Sequence, residues 1–272
     1  MATHLCNSCG TAYPNSDIPP KECKICDDER QYVPASGQSW TELNLLNKTH
    51  RNAWRLMEPG LFCLQTVPAF AINQRAFLLT TPMGNILWDC IALLDDSTRE
   101  IIHSLGGLKA IAISHPHYYT TMQDWAREFD CPVYLHENDK EWIVRPDSRL
   151  HLWRGKEMEL IPGCKLLCLG GHFAGGTALL WSDDADQKGV MLAGDIVQVT
   201  PGAHHVSFMW SYPNMLPLCV EQVKEISSRI KPYYFEKIYG AFEGQDIIKC
   251  GKEIISQSAR RYINILEKDN AL

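Results

Sequence analysis

Ser114-His115-Pro116-His117-Tyr118-Tyr119-Thr120 comes directly after Leu108-Lys109-Ala110-Ile111-Ala112-Ile113, a short apolar run of strand type. The two histidines therefore stand where a strand ends and a loop begins. Imidazoles spaced i, i+2 on such a loop can converge on one cation. A neutral imidazole nitrogen at about 2.0–2.1 Å is the usual ligand for Zn²⁺. This segment has the composition of half a metal site.

Two further glycine-flanked polar residues follow downstream, each again after an apolar run: Gly170-Gly171-His172-Phe173-Ala174-Gly175-Gly176 and Ala193-Gly194-Asp195. The order strand–HxH, strand–GGH, strand–GD resembles the metallo-β-lactamase-fold hydrolases over residues 60–265. The resemblance implies an α/β (α+β) chain folded as a four-layer αββα sandwich. It also implies a metal held by His115, His117, His172 and Asp195. Coincidence is a poor account of four ligand-type residues at three strand ends in the family's order.

The chain departs from the family at two places. The family's first motif reads H-x-H-x-D-H, and its last two positions are Tyr119 and Thr120 here. The late family histidine is missing near residues 238–244, where Phe242 takes its place. The ligands of a second metal are thus absent, and the expectation is a site for a single metal, with Asp195 completing the coordination or orienting a water. Three histidines and an open position suit a catalytic zinc. Zinc-bound water reaches a pKa of about 7 without a neighbouring carboxylate, so a hydroxide nucleophile remains available. Asp195, Tyr119 and His205 are the candidate catalytic residues, with Tyr118 and Glu243 as further candidates for proton transfer. The competing reading is that Tyr118 and Tyr119 fill the vacated second-metal pocket.

The amino terminus holds a separate signal. Cys6-Asn7-Ser8-Cys9 and Cys23-Lys24-Ile25-Cys26 make a C-x2-C…C-x2-C pair of knuckles, the spacing of a zinc ribbon. A redox pair would call for a βαβ context, which is lacking. Iron is the weaker alternative at either site, rubredoxin-like in the ribbon and running oxygen chemistry at the histidines. Residues 1–35 are accordingly expected to be a ribbon and 36–272 a metallo-β-lactamase-like domain, with one zinc in each. Around the ribbon Lys21, Lys24 and Arg30 alternate with Glu22, Asp27, Asp28 and Glu29. That is no basic face, and it argues against a nucleic-acid partner.

Composition agrees with a globular enzyme. A chain of 272 residues, 45% hydrophobic and 21% charged, can bury a sizeable core, and a net charge of −6 disfavours unspecific polyanion binding. No apolar run approaches a membrane span, and the first knuckle begins too early for a secretory signal. The seven cysteines outside the knuckles are scattered and mostly sit in apolar runs, which fits buried thiols in a reducing compartment. The expected location is cytoplasmic, the expected partner a small-molecule substrate, and a homodimer stays open.

Periodicity places a hairpin at 75–80 and 85–90 and helices at 41–50, 98–105, 121–129 and 137–144. It places strands at 60–66, 132–136, 164–169, 177–181, 189–193 and 237–239, and helices at 216–230 and 246–266. His136 is read as a cap for the helix after it. Phe208, Met209, Trp210 and Tyr212 are read either as pocket lining or as core. The function expected is a metal-dependent hydrolase that uses a metal-bound hydroxide on a small ester, thioester, lactone, lactam or related electrophile such as an isothiocyanate. The alternative is a degenerate member that binds a metabolite or partner without turnover.

Overall fold

The computed structural model describes residues 1–184 and 186–268. The chain divides into two compact units, Met1–Trp153 and Arg154–Leu272.

The first unit begins with the ribbon segment. Strand β1 (His4–Cys6) pairs antiparallel with β2 (Trp40–Glu42), and α1 (Leu43–Thr49) follows directly. Next comes a seven-stranded sheet in sequence order: β3 (Arg51–Glu58), β4 (Leu61–Val67), β5 (Ala76–Leu79), β6 (Ile86–Trp88), β7 (Ala110–Ala112), β8 (Val133–His136) and β9 (Leu150–Trp153). The pairs from β3 to β6 are antiparallel and those from β6 to β9 parallel. Every residue of β5, β6 and β7 is buried, as expected of strands covered on both faces.

The expected hairpin forms between β5 and β6, in the register Leu79↔Ile86. Helix α2 (Asp96–Ser104) joins β6 to β7 and starts where the Asp95 side chain accepts the Thr98 N–H at 2.8 Å, an N-cap satisfying one of the unpaired first-turn donors. Helix α3 (Met122–Glu128) joins β7 to β8.

The second unit is built on a six-stranded sheet. Its order is β10 (Glu157–Ile161), β11 (Cys164–Cys168), β12 (Thr177–Trp181), β13 (Val190–Gly194), β18 (Lys237–Gly240) and β19 (Asp246–Ile247). Between β13 and β18 the chain makes two small ribbons, β14 (Gln198–Val199) with β15 (Val206–Ser207) and β16 (Met209–Ser211) with β17 (Leu216–Pro217). Helices α4 (Val220–Ile230) and α5 (Gly251–Lys268) complete it. Val223, Ile226 and Ile230 recur at helical spacing on α4 and pack with Met191, Ile238, Ile255 and Ala259 in one core.

Several boundaries differ from those periodicity suggests. Helix α4 starts at Val220 because Leu216–Pro217 pairs as β17 and Cys219 caps the helix. Helix α5 starts at Gly251: Asp246 and Ile247 pair with β18, and Cys250 adopts a left-handed backbone (φ +57°). The helix expected at 41–50 yields its first two residues to β2, and residues 137–142 form a 3-10 helix. The strands β3, β9 and β10 were not anticipated by periodicity. Edge strands β3 and β10 carry Arg51, Arg55, Glu157 and Glu159 toward solvent, and charge on an edge breaks the apolar alternation of a strand.

Candidate metal centre

Among the described residues, Cys6, Cys9, Cys23 and Cys26 bring four thiols of the first unit close enough to hold a metal ion; of the other candidate ligands, His115 and His117 belong to the first unit and His172 and Asp195 to the second.

The four thiols lie within the first unit, all buried, with their sulfurs within 4.8 Å of one another. Cys6 Sγ stands 3.6 Å from Cys26 Sγ, and Cys9 Sγ 3.6 Å from Cys23 Sγ. These contacts cross between the knuckles and are far longer than a disulfide bond. They match the edge of about 3.8 Å of a tetrahedron with ligands at about 2.3 Å from its centre, the zinc–thiolate distance. Burial pushes the Cys9 thiol up, and a cation among the four sulfurs would offset that cost of its thiolate. The donor set therefore fits a four-coordinate metal. Gly10, left-handed at φ +78°, follows the first knuckle, and its N–H returns to the Cys6 carbonyl at 2.8 Å. Tyr13 receives the Lys24 N–H at 2.7 Å, fastening the second knuckle. Trp40, Ile72, Trp142 and Val144 pack around the cluster.

His115 and His117 stand on the loop leaving β7, both buried, with ring centroids 5.0 Å apart. The strand ends at Ala112, and Pro116 opens a 3-10 turn (Pro116–Tyr118) that brings both rings to one side. Asp89, at the end of β6, accepts the Ser114 N–H at 2.7 Å. Ser114 Oγ lies 2.8 Å from His115 Nδ1. A ring held through Nδ1 presents Nε2 as its ligand atom. Tyr118 packs edge-on against His115, centroids 4.4 Å apart. Tyr118 and Tyr119 are both buried. Burial pushes the Tyr119 hydroxyl well above the usual phenol range, and the Asp139 carboxylate adds to it.

In the second unit, His172 sits on the loop after β11, fully buried. Its Nδ1 lies 2.8 Å from the Trp210 carbonyl, so that nitrogen carries the proton and Nε2 is left as the coordinating position. The loop is closed by Gly176, whose carbonyl accepts the N–H groups of Leu169 and Gly170 at 2.8 and 3.0 Å. Asp195 is 5% exposed just past the end of β13. Tyr212 donates to its main-chain carbonyl at 2.5 Å, and the Tyr212 ring lies edge-on to His172, centroids 5.2 Å apart. Burial, then the Asp195 charge, pushes the Tyr212 hydroxyl well up.

The remaining sequence candidates separate clearly. His205 is exposed in the turn between β14 and β15, its carbonyl accepting the Thr200 N–H at 3.0 Å. Phe208 is core, fully buried among the apolar residues of the second unit. His136 caps the 3-10 helix after it, its Nδ1 accepting the Asn138 N–H at 3.2 Å. Asp89, Ser114 and the Trp210 carbonyl escaped sequence reasoning. Only Asp89 left a trace, as an acid closing the apolar run Ile86-Leu87-Trp88.

The chain is 42% identical over 271 residues to the protein YmaE of Bacillus subtilis, covering 99% of this chain and 98% of YmaE. No protein-family model matches it. Among solved structures, the DIM-1 metallo-β-lactamase superposes with a TM-score of 0.57 at 13% identity, covering 78% of this chain and 98% of its own. A metallo-β-lactamase of Cronobacter sakazakii with a HARLDQ motif superposes with a TM-score of 0.53 at 20% identity, covering 84% and 100%. No helix among the described residues is long and apolar enough to cross a membrane.

Proposed function

We propose, for a chain that belongs to one family with YmaE of Bacillus subtilis and carries the metallo-β-lactamase fold, a metal-dependent hydrolase activity on small electrophiles. The substrates envisaged are esters, thioesters, lactones or lactams, and isothiocyanates. The observation that carries the reading is the donor set: three buried imidazoles, two of them fixed through Nδ1, and one buried carboxylate. Three imidazoles fit one divalent cation and leave its fourth position to Asp195 or to a water that Asp195 orients. We assign the ion as zinc, held by His115, His117, His172 and Asp195, with a second zinc in a ribbon of residues 1–35 and the hydrolase domain at 36–272.

When bound, the metal supplies Lewis acidity toward a carbonyl or thiocarbonyl and lowers the pKa of a water to about 7. The protein's part is positioning. The Trp210 carbonyl holds His172 in the tautomer that coordinates through Nε2, and Ser114 Oγ fixes the orientation of the His115 ring through Nδ1. Asp195 orients the attacking water. Tyr119 is the buried candidate for a hydroxyl donor to the leaving atom, and His205 the exposed candidate for exchanging that proton with solvent. Phosphodiesters fit poorly, since Tyr119 and Thr120 stand where a second metal's ligands would be.

Turnover decides the proposal. Wild type and a His115→Ala/His117→Ala variant are loaded with zinc and offered ester, thioester, lactone, lactam and isothiocyanate substrates. Hydrolysis by wild type alone supports it. Two bound zincs without turnover on any of the five classes would instead make the chain a binding protein.

A further inference from the structure

We propose that the N-terminal ribbon braces the loop carrying His115 and His117, so that metal in the four-cysteine site raises the metal affinity of the histidine pair. Apart from the link to histidine-site affinity, which rests on the function proposed above, the inference stands on contacts inside the first unit.

The link runs through Thr120. Its carbonyl accepts the Ala12 N–H at 2.9 Å, and Ala12 lies three residues beyond the ligand Cys9. Thr120 is left-handed at φ +33°, a conformation a β-branched residue keeps only where its surroundings impose it. Cys9, Ala92 and Thr120 line one tight crevice. A Cβ on Gly10 would stand 3.1 Å from the Ala92 side chain and 3.6 Å from that of Thr120, so the knuckle backbone lies close against Ala92 and within contact distance of Thr120. Next along the chain, Thr121 Oγ1 donates to the Ala92 carbonyl at 2.9 Å. Leu5 and Ala12 share an apolar cluster with Ala92 and Leu93.

The same cysteines order the segment that makes these contacts. The Cys6 N–H donates to the Thr11 carbonyl at 3.0 Å, and its own carbonyl receives the Gly10 N–H. The apolar cluster around the thiols is small: the four cysteines, Tyr13 and Ile25 are its buried members. So small a core depends on its metal to stay folded. An empty ribbon therefore releases the Ala12–Thr120 bond, and Thr120 relaxes three residues from His117. Coupling between two binding equilibria is reciprocal, so filling the histidine site also tightens the ribbon.

The test measures amide hydrogen exchange over residues 114–121 and zinc affinity of the histidine site, the latter by competition with a chelator. Wild type is compared before and after its ribbon zinc is ejected by a thiol-specific mercurial, and again after thiol and zinc are restored. An Ala12→Pro variant, which lacks the donor N–H, is measured alongside. Its ribbon is checked by the thiolate–Co²⁺ charge-transfer band. Faster exchange over 114–121 in both comparisons, with β13 unchanged and histidine-site affinity reduced at least fivefold, supports the brace. Unchanged exchange over 114–121 in the stripped wild type overturns it, as does unchanged affinity in an Ala12→Pro protein whose ribbon is loaded. An Ala12→Pro ribbon that fails to load leaves the wild-type comparison to decide. No readout is turnover, so the hydrolase reading can fail while the exchange result still rules on the brace.

Discussion

Asp89 holds the Ser114 backbone N–H at 2.7 Å, with both residues buried and Asp89 itself left-handed at φ +60°. A carboxylate at the end of one strand thereby fixes the first residue of the histidine loop leaving the next. Asp89→Ala would strand a buried donor, costing about 1–3 kcal/mol. For a chain of this size that lowers the melting temperature by about 2–4 °C per kcal/mol. Asp89→Asn keeps an acceptor and tolerates the left-handed backbone, so it should lose less than half as much. Thermal melts of the two variants check the order; equal losses would mean that the charge, and not the hydrogen bond, is what matters.

Gly176→Ala should damage the His172 loop. An added Cβ would meet the Ile196 side chain at 2.6 Å, the Gly170 carbonyl at 2.7 Å and the Phe173 carbonyl at 3.0 Å. Two of these neighbours are backbone and cannot rotate away. Overpacking of this kind costs about 1–3 kcal/mol, and the displaced loop carries His172 with it. Urea unfolding gives the stability loss, and metal analysis should show less than one metal equivalent in the histidine site. A variant as stable and as metal-rich as wild type would contradict the packing argument.

The ligand-type residues were legible because ligand spacing is local. C-x2-C at residues 6–9 and 23–26 brings four sulfurs together in the first unit, and H-x-H at 115–117 puts two buried imidazoles on one loop. The metallo-β-lactamase fold was legible for the same reason, from apolar strands ending in those residues. The supports were not. Trp210 contributes a main-chain carbonyl, which any residue type carries, and Asp89 is 25 residues from the amide it holds. Strand β3 was hidden by edge charges, and the start of α5 by a left-handed Cys250 that no periodicity signals.

Metal content should report on each of the two donor groups. If each holds one zinc, wild type carries two equivalents per chain, His115→Ala/His117→Ala one, and Cys23→Ser/Cys26→Ser no more than one. Elemental analysis counts the ions. An absorbance band in the visible region would identify iron in place of zinc. One equivalent in both wild type and the histidine variant would show that the histidines hold nothing.

The Tyr262 hydroxyl, on α5, lies 2.9 Å from the main-chain carbonyls of both Phe208 and Leu218, tying the helix to the segment that follows β15. Burial pushes its pKa up to about 12, against about 10 in the unfolded chain. Below pH 10 the phenol is neutral in both states and its hydrogen bond is fully expressed. Between pH 10 and 12 the unfolded chain ionises first, so the stabilisation drains away as pH rises. Partial exposure limits the loss to on the order of 1 kcal/mol. Tyr262→Phe should therefore cost about 1 kcal/mol at pH 8, and the gap from wild type should narrow by pH 11. Urea denaturation of both proteins at the two pH values tests this, because every other titrating group is common to the pair. A gap that widens with pH would mean the folded state accommodates the phenolate better than water does, opposite to what burial against two carbonyl oxygens requires.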